Sequence, residues 1–236
     1  MANAKLGFRI LPSPPRLPAA LIDQFRGIAS PNIADSMGRF NFMDPGIVSR
    51  SGVPVCGPAL TVNCRPADNL MVHKSLDVAE PGDVIVVDAG GSTMNAVLGD
   101  LVSSKARHRG VAGFVVDGLI RDLPAIRAFG DFPVYARGVT PIGPLHRGPG
   151  EINHAICCGG IVVHPGDIIM GDLNGVVVIP LAIADPLLES LREKAESEAE
   201  YTAAVARGDF SNEWVDRFLT KSGLPPSRAG DLTARG

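Results

Sequence analysis

Two short stretches of the chain hold residue types that could grip a carboxylate and a cation side by side. The first is Arg121-Asp122, which follows the run Val111–Val116 and the segment Asp117-Gly118-Leu119-Ile120. Arginine offers a planar fork that matches a carboxylate through paired hydrogen bonds. Aspartate offers a hard oxygen ligand suited to magnesium or manganese. A structural role competes with this: Asp122 stands where an N-cap belongs, before Leu123-Pro124-Ala125 with proline in the first turn. Arg121 by itself reads more often as a surface cation than as a substrate clamp.

The second stretch runs from Asp88-Ala-Gly-Gly-Ser-Thr93 to Gly99-Asp100-Leu101-Val102. A helix opening near Leu98-Gly99-Asp100 presents free backbone N–H groups and a positive dipole end to an anion. Gly99 permits close approach, and Asp100 could hold a metal-bound water. Helix-start electrostatics explains Asp100 as well.

Other signals are weaker. Gly90-Gly91 follows a strand but lacks the GxGxxG spacing of a dinucleotide site. No GxxxxGK[ST], HExxH or GxSxG occurs. His73, His108, His146, His154 and His164 are scattered and read as structural or solvated. Asp172 reads as serving its hairpin, and the loop Gly143–Gly150 has backbone reasons for its glycines and prolines. Cys56, Cys64, Cys157 and Cys158 form no metal-type spacing. Cys157 and Cys158 lie in an apolar run and read as buried free thiols, which suits a reducing compartment.

These stretches need strand ends to position them. Pro81-Gly-Asp-Val-Ile-Val-Val-Asp88 is echoed by Pro165-Gly-Asp-Ile-Ile-Met-Gly-Asp172, each a turn feeding a short buried strand. Between the copies the pattern predicts strand Val84–Val87, a helix near Val97–His108, strand Val111–Val116 and a helix over Leu123–Phe129. Strand Pro133–Ala136 follows. Such alternation implies parallel strands with crossover helices, and ligands then bind beyond the strands' carboxyl ends. Asp117-Gly118 reads as the turn out of one of them.

From Ala155 to Ile179 short strands with tight turns suggest a β-rich half, with Asn174-Gly175 as a hairpin turn. Earlier, Ile47–Asn63 reads as extended chain, with helices around Pro18–Ile28 and over Asn32–Met37. A Pro-rich lead (Pro12, Pro14, Pro15, Pro18) is of a kind that can drape over another subunit. Ala184–Arg207 predicts a charged helix with Leu187, Leu188, Leu191 and Ala195 on one stripe. A last helix holds Trp214 and Phe218, and fraying is expected beyond Gly223.

The 236 residues, 45% hydrophobic and 20% charged, can bury a full core without disulfides. A formal net charge of -3 with no Lys/Arg run argues against nucleic-acid binding. The N-terminus lacks the apolar core of a signal peptide, and no run reaches the roughly 18 apolar residues of a membrane span. The expectation is a cytoplasmic protein without a membrane partner.

Pro81-Gly-Asp83, Gly99-Asp-Leu101, Arg109–Asp122 and Pro133-Val-Tyr-Ala-Arg-Gly138 together resemble the RraA-like family, in its 4-hydroxy-4-methyl-2-oxoglutarate aldolase branch. Asn32–Gly38 and Gly171–Pro180 fit, so the resemblance spans roughly residues 20 to 200. It implies an α/β/α sandwich with swivelling β/β/α character over residues 1–182. A C-terminal helical extension, 183–236, would pack on the same or a neighbouring subunit. It also implies a trimer or hexamer with sites at subunit interfaces, acting as a divalent-metal (Mg2+ or Mn2+) class II aldolase on oxo-acid substrates. In that scheme Arg121 binds the pyruvyl carboxylate and enolate oxygen, and Asp122 is the direct metal ligand. Gly99, Asp100, Leu101 and Val102 contact substrate, and Asp100 orients a metal-bound water for proton transfer. One of Glu193, Glu196 or Glu198 would complete the outer metal shell from a neighbouring subunit. Such a site needs no Schiff-base lysine, although Lys74 and Lys105 could be proposed for one. Oxaloacetate decarboxylation could use the same enolate chemistry. The family also contains regulators that bind a ribonuclease, and that reading predicts protein partners without metal dependence. A methyltransferase role finds no strand–glycine–acidic pattern to support it.

Overall fold

A computed structural model describes residues 7–224, so the fraying expected beyond Gly223 lies almost wholly outside the described residues. The strands are β1 (Phe8–Ile10), β2 (Val48–Ser49), β3 (Val55–Cys64), β4 (Val84–Asp88), β5 (Ala96–Leu98), β6 (Gly113–Ile120), β7 (Val134–Val139), β8 (Gly150–Ile152), β9 (Ile156–Cys158), β10 (Ile161–Val163), β11 (Ile168–Asp172) and β12 (Gly175–Ile179). The helices are α1 (Ala19–Asp23), α2 (Ser30–Ser36), α3 (Leu70–Val78), α4 (Asp100–His108), α5 (Leu123–Ala128), α6 (Ala184–Ala206) and α7 (Glu213–Lys221).

The fold is mixed α/β. Strands β3, β4, β6 and β7 run parallel in that order, with β5 beside the far end of β6. Side chains on these strands alternate in destination, as a period of two requires. Ile85 and Val87 of β4 face α3, α4 and α5 in one core with Val72, Val102, Phe114 and Ile126. Val84 and Val86 face the other way, onto Ile169, Val176 and Val178 of the β11–β12 hairpin. That hairpin's opposite face, with Met170 and Val177, packs on Phe25 of the segment after α1, Ile33 of α2 and Leu187, Leu188 and Leu191 of α6. Four layers result, because β3 pairs antiparallel with β11 over Val55–Pro58 and parallel with β4 over Ala59–Asn63. Each of these buried aliphatic side chains stabilises the fold by about 1.5–3 kcal/mol.

Several expectations change. The helix expected near Val97–His108 begins only at Asp100, because Ala96–Leu98 pairs with β6 as a strand. Asp117-Gly118 is not an exit turn: β6 continues to Ile120. Val116 pairs with Ala136 and Leu119 with Gly138, so Asp117 and Gly118 together oppose Arg137 in a bulge. Cys157 is exposed, because strand alternation on β9 turns it away from its buried neighbours Ile156 and Cys158. Ala195 is exposed, since the buried stripe of α6 stops at Leu191. Within the chain, the Pro-rich lead is tied down where Asn153 Nδ2 donates to Leu11 O (3.1 Å) and Arg16 pairs with Asp83. Asn174 does make the hairpin turn, its N–H donating to Asp172 Oδ1 at 2.7 Å.

The chain divides into two compact units, residues 1–191 and 192–236. In the second, α6 continues to Ala206 and α7 carries exposed Trp214 and Phe218. Among the described residues no helix is long and apolar enough to cross a membrane.

Candidate active site

Two neighbouring strand ends build the site. β5 and β6 run parallel, with Leu98 opposite Ile120, and the Arg121 N–H donates to Leu98 O at 3.0 Å. The residues that follow each strand, Gly99-Asp100 and Arg121-Asp122, therefore emerge side by side. Gly99 caps α4, whose first-turn N–H groups have no intrahelical acceptor. The Leu101 N–H donates to Asp100 Oδ1 at 2.7 Å, and Ser103 N–H to Gly99 O at 3.0 Å.

Asp122 occupies the N-cap position of α5 but does not cap it with its side chain. Its backbone is left-handed, φ 56° and ψ 35°, a conformation that costs a non-glycine residue about 1–2 kcal/mol. That backbone swings the carboxylate back toward Gly99 and leaves it 3.2 Å from Arg121 Nε. Both side chains are about two-fifths exposed, 41% and 40%. Strained backbone of this kind clusters at functional sites.

Gly99, Asp100, Leu101, Val102 and Arg121 line one cavity of about 220 Å³. Asp122 does not line it, but its carboxylate lies against Gly99, which does. The remaining wall comes from Leu98 and from residues that the sequence does not group with these: Asn69, His73, Lys105, Gly143, Pro144 and His146. His73 and His146 are not scattered here; their rings meet edge-on at 5.9 Å, and His146 Nδ1 lies 2.6 Å from Asn69 Oδ1. Burial, then Lys105, then His146, push the His73 imidazole below its ordinary 6.5. Two helical spacings carried the missed signal: Asn69 holds the N-cap position of α3 one turn before His73, and Lys105 follows Leu101 by one turn of α4.

Lys74 and Asp172 are engaged elsewhere. Lys74 pairs with Asp77 at 3.3 Å on the exposed side of α3. Glu193, Glu196 and Glu198 are exposed on the part of α6 that belongs to the second unit. Asp172 serves its hairpin and also accepts from the Ser30 N–H and hydroxyl, both at 2.8 Å. Among the described residues no three His, Cys, Asp or Glu side chains converge as a ready cation cage.

The pattern of the RraA-like family (Aldolase/RraA) matches residues 30–178, which contain every cavity residue. A relative from Halalkalibacterium halodurans is 42% identical over 184 residues, covering 77% of this chain and 87% of its own. The chain belongs to the RraA-like family. That relative is provisionally named a 4-hydroxy-4-methyl-2-oxoglutarate aldolase. Among solved structures, Streptomyces coelicolor RraAS2, an unusual member of the RNase ES inhibitor RraA protein family, superposes with a TM-score of 0.72. It is 28% identical, covering 80% of this RraA-like chain and 99% of its own. An uncharacterized Pseudomonas syringae protein shares the fold, with a TM-score of 0.75 at 24% identity over 83% and 92% of the two chains.

Proposed function

We propose that the protein is a divalent-metal-dependent lyase that cleaves 4-hydroxy-2-oxo acids to pyruvate through an enolate. The observation that carries this reading is the half-exposed Arg121–Asp122 pair, held in a strained turn beside the α4 N-terminus and a cationic cavity. The provisional aldolase name of the Halalkalibacterium relative supports it.

The donor set suits one kind of cation. Among the described residues the Asp122 carboxylate pairs with its neighbour Arg121 and makes no cap hydrogen bond, so it offers oxygen to a cation. Magnesium or manganese, which accept one or two carboxylates and fill the rest with water and substrate oxygens, fit such a site. Asp122 would hold the cation, which when bound supplies positive charge at the substrate's 2-oxo group.

The chain's own groups do the rest. First-turn N–H groups of α4 receive the C1 carboxylate between Gly99 and Val102. Arg121 donates to the 2-oxo oxygen, where charge grows as the C3–C4 bond breaks. The 4-hydroxyl loses its proton, its O–H electrons form the product carbonyl, and the C3–C4 pair becomes the enolate. Asp100, on the cavity wall, takes that proton through water and returns one to C3. Oxaloacetate decarboxylation would follow the same course, with carbon dioxide leaving in place of the carbonyl product. Exposed Leu101 and Leu145 around the opening, 69% and 46% accessible, support a second copy covering the site in a trimer or hexamer. The buried thiols of Cys56, Cys64 and Cys158 fit the reducing cytoplasm.

A coupled pyruvate-release assay on 4-hydroxy-2-oxo acids tests the proposal. Turnover should require magnesium or manganese and vanish with chelator. Pyruvate release from none of these substrates would sink it. The likeness to RraAS2 favours a second reading, a regulator that binds a protein partner without metal. Metal-independent capture of a ribonuclease by a chain inert in the assay would decide for it.

A further inference from the structure

The Arg121 side chain runs between two glycines that come from different elements. A Cβ built on Gly99 would stand 2.9 Å from Arg121 Cγ and 3.3 Å from Nε, and closer still to Asp122 Oδ2. A Cβ on Gly143 would stand 2.7 Å from Arg121 Nη1. Neither position has the positive φ that asks for glycine; Gly99 is extended, at φ -147°. The backbone of these residues would tolerate alanine. It is the arginine that would not.

Gly143 is also held in place. Its carbonyl accepts from Asn95 Nδ2 at 2.6 Å, and the carbonyl before it, on Ile142, accepts from the Ala96 N–H at 2.9 Å. Both donors belong to β5 or its approach, the strand that delivers Gly99. Further along, the Leu145 N–H donates to Ala67 O (2.8 Å), and the Arg147 N–H to Asp68 Oδ2 (2.6 Å). The loop is thus a wall pinned at both ends, with its one side-chain-free surface against the guanidinium.

We propose that Gly143 is a positioning residue for Arg121, held to that task by Asn95. The inference rests on the lyase reading, in which Arg121 faces the enolate oxygen. Carbon and nitrogen in ordinary contact stand roughly 3.5 Å apart. A methyl group at position 143 therefore displaces Nη1 by close to 1 Å. The displaced atom is the free end of a flexible side chain, so the arginine yields and the fold does not. Displacement on that scale can cost about 100-fold in rate.

Gly143→Ala, Asn95→Ala, Arg121→Lys and the Gly143/Arg121 double variant test this through kcat, KM, melting temperature and one crystal structure. Gly143→Ala should lower kcat roughly 10- to 100-fold with a much smaller change in KM and no change in melting temperature. Asn95→Ala, which adds no atom, should lower kcat less and in the same direction. With lysine at 121 there is no Nη1, so Gly143→Ala should then cost nothing further. The crystal structure of Gly143→Ala should show the guanidinium moved and the loop unmoved.

Parent-level kcat, an additive double variant, or an unmoved guanidinium would each overturn the proposal. So would a large fall in melting temperature for Gly143→Ala with Asn95→Ala unaffected, which would return Gly143 to the fold. A parent chain that releases no pyruvate would remove the lyase reading alone, because the crystal structure still decides whether Gly143 sets the arginine.

Discussion

Asp117 within strand β6 and Asp122 just past its end each pair with an arginine, and the two pairs have opposite fates. Asp117, in the bulge, pairs with Arg137 while its other oxygen accepts the Gly159 N–H at 2.7 Å; Arg137 also reaches Asp44 at 3.2 Å. The side chains of that pair are 7% and 25% exposed. Arg121 and Asp122, past the end of the same strand, are 41% and 40% exposed, with Asp122 on strained backbone, and their side chains bond little beyond each other. The first pair spends its hydrogen-bonding capacity inside the fold. The second keeps it for something else. Identical residue types separate into structure and chemistry by burial and backbone conformation.

The largest effect that tests this contrast is on turnover. Arg121→Ala should lower kcat/KM about 100- to 1000-fold, the cost of losing a donor to a developing oxyanion. Its melting temperature should stay near the parent's, since an exposed ion pair is worth at most about 1 kcal/mol. Normal turnover would dismiss the site.

Asp117→Ala should do the reverse. It leaves Arg137 and the Gly159 N–H short of a partner inside the protein, at a cost of about 3 kcal/mol. Denaturant melts should register the loss, with KM unmoved in whatever active protein remains. A variant as stable as the parent would mean that the buried pair is not structural.

Asp122→Gly separates the two roles within one residue. Glycine adopts the left-handed conformation at no steric cost, so the variant should be at least as stable as the parent, by up to about 1 kcal/mol. It should also lose its metal-dependent turnover. Should it melt lower and still turn over, Asp122 would be the cap that its sequence position suggested.

That ambiguity marks where reading from sequence stops. The parallel strands, their crossover helices and the β11–β12 hairpin were legible, because buried strands and turn residues are local signals. That Gly99-Asp100 and Arg121-Asp122 could cooperate was legible from their polar residues, although Gly99 read as a helix opening and strand β5, which delivers it, did not show. Asp117-Gly118 misled because an aspartate before a glycine marks a bulge as readily as an exit. Asn69, His73, Lys105 and His146 were not grouped, since α3, α4 and the Gly143–Gly150 loop converge only through sheet order. The clearance role of Gly143 depends on a side chain more than twenty positions away, which no local pattern reports.

The smallest expected effect concerns pH, and it sharpens the contrast at the cavity wall. His73 is pushed below its ordinary 6.5 by burial first, then by Lys105 and His146, so the folded chain binds its proton less readily than the unfolded chain. By linkage its contribution is fully present above 6.5. It falls as pH drops from there toward the depressed folded value, because protonation then favours unfolding. Melting curves at pH 7.5 and about 5.5 should therefore differ more for the parent than for His73→Gln. Equal pH sensitivity in parent and variant would mean that His73 is no more shielded than a surface histidine, and the cavity wall would then be wetter than its packing against Lys105 and His146 implies.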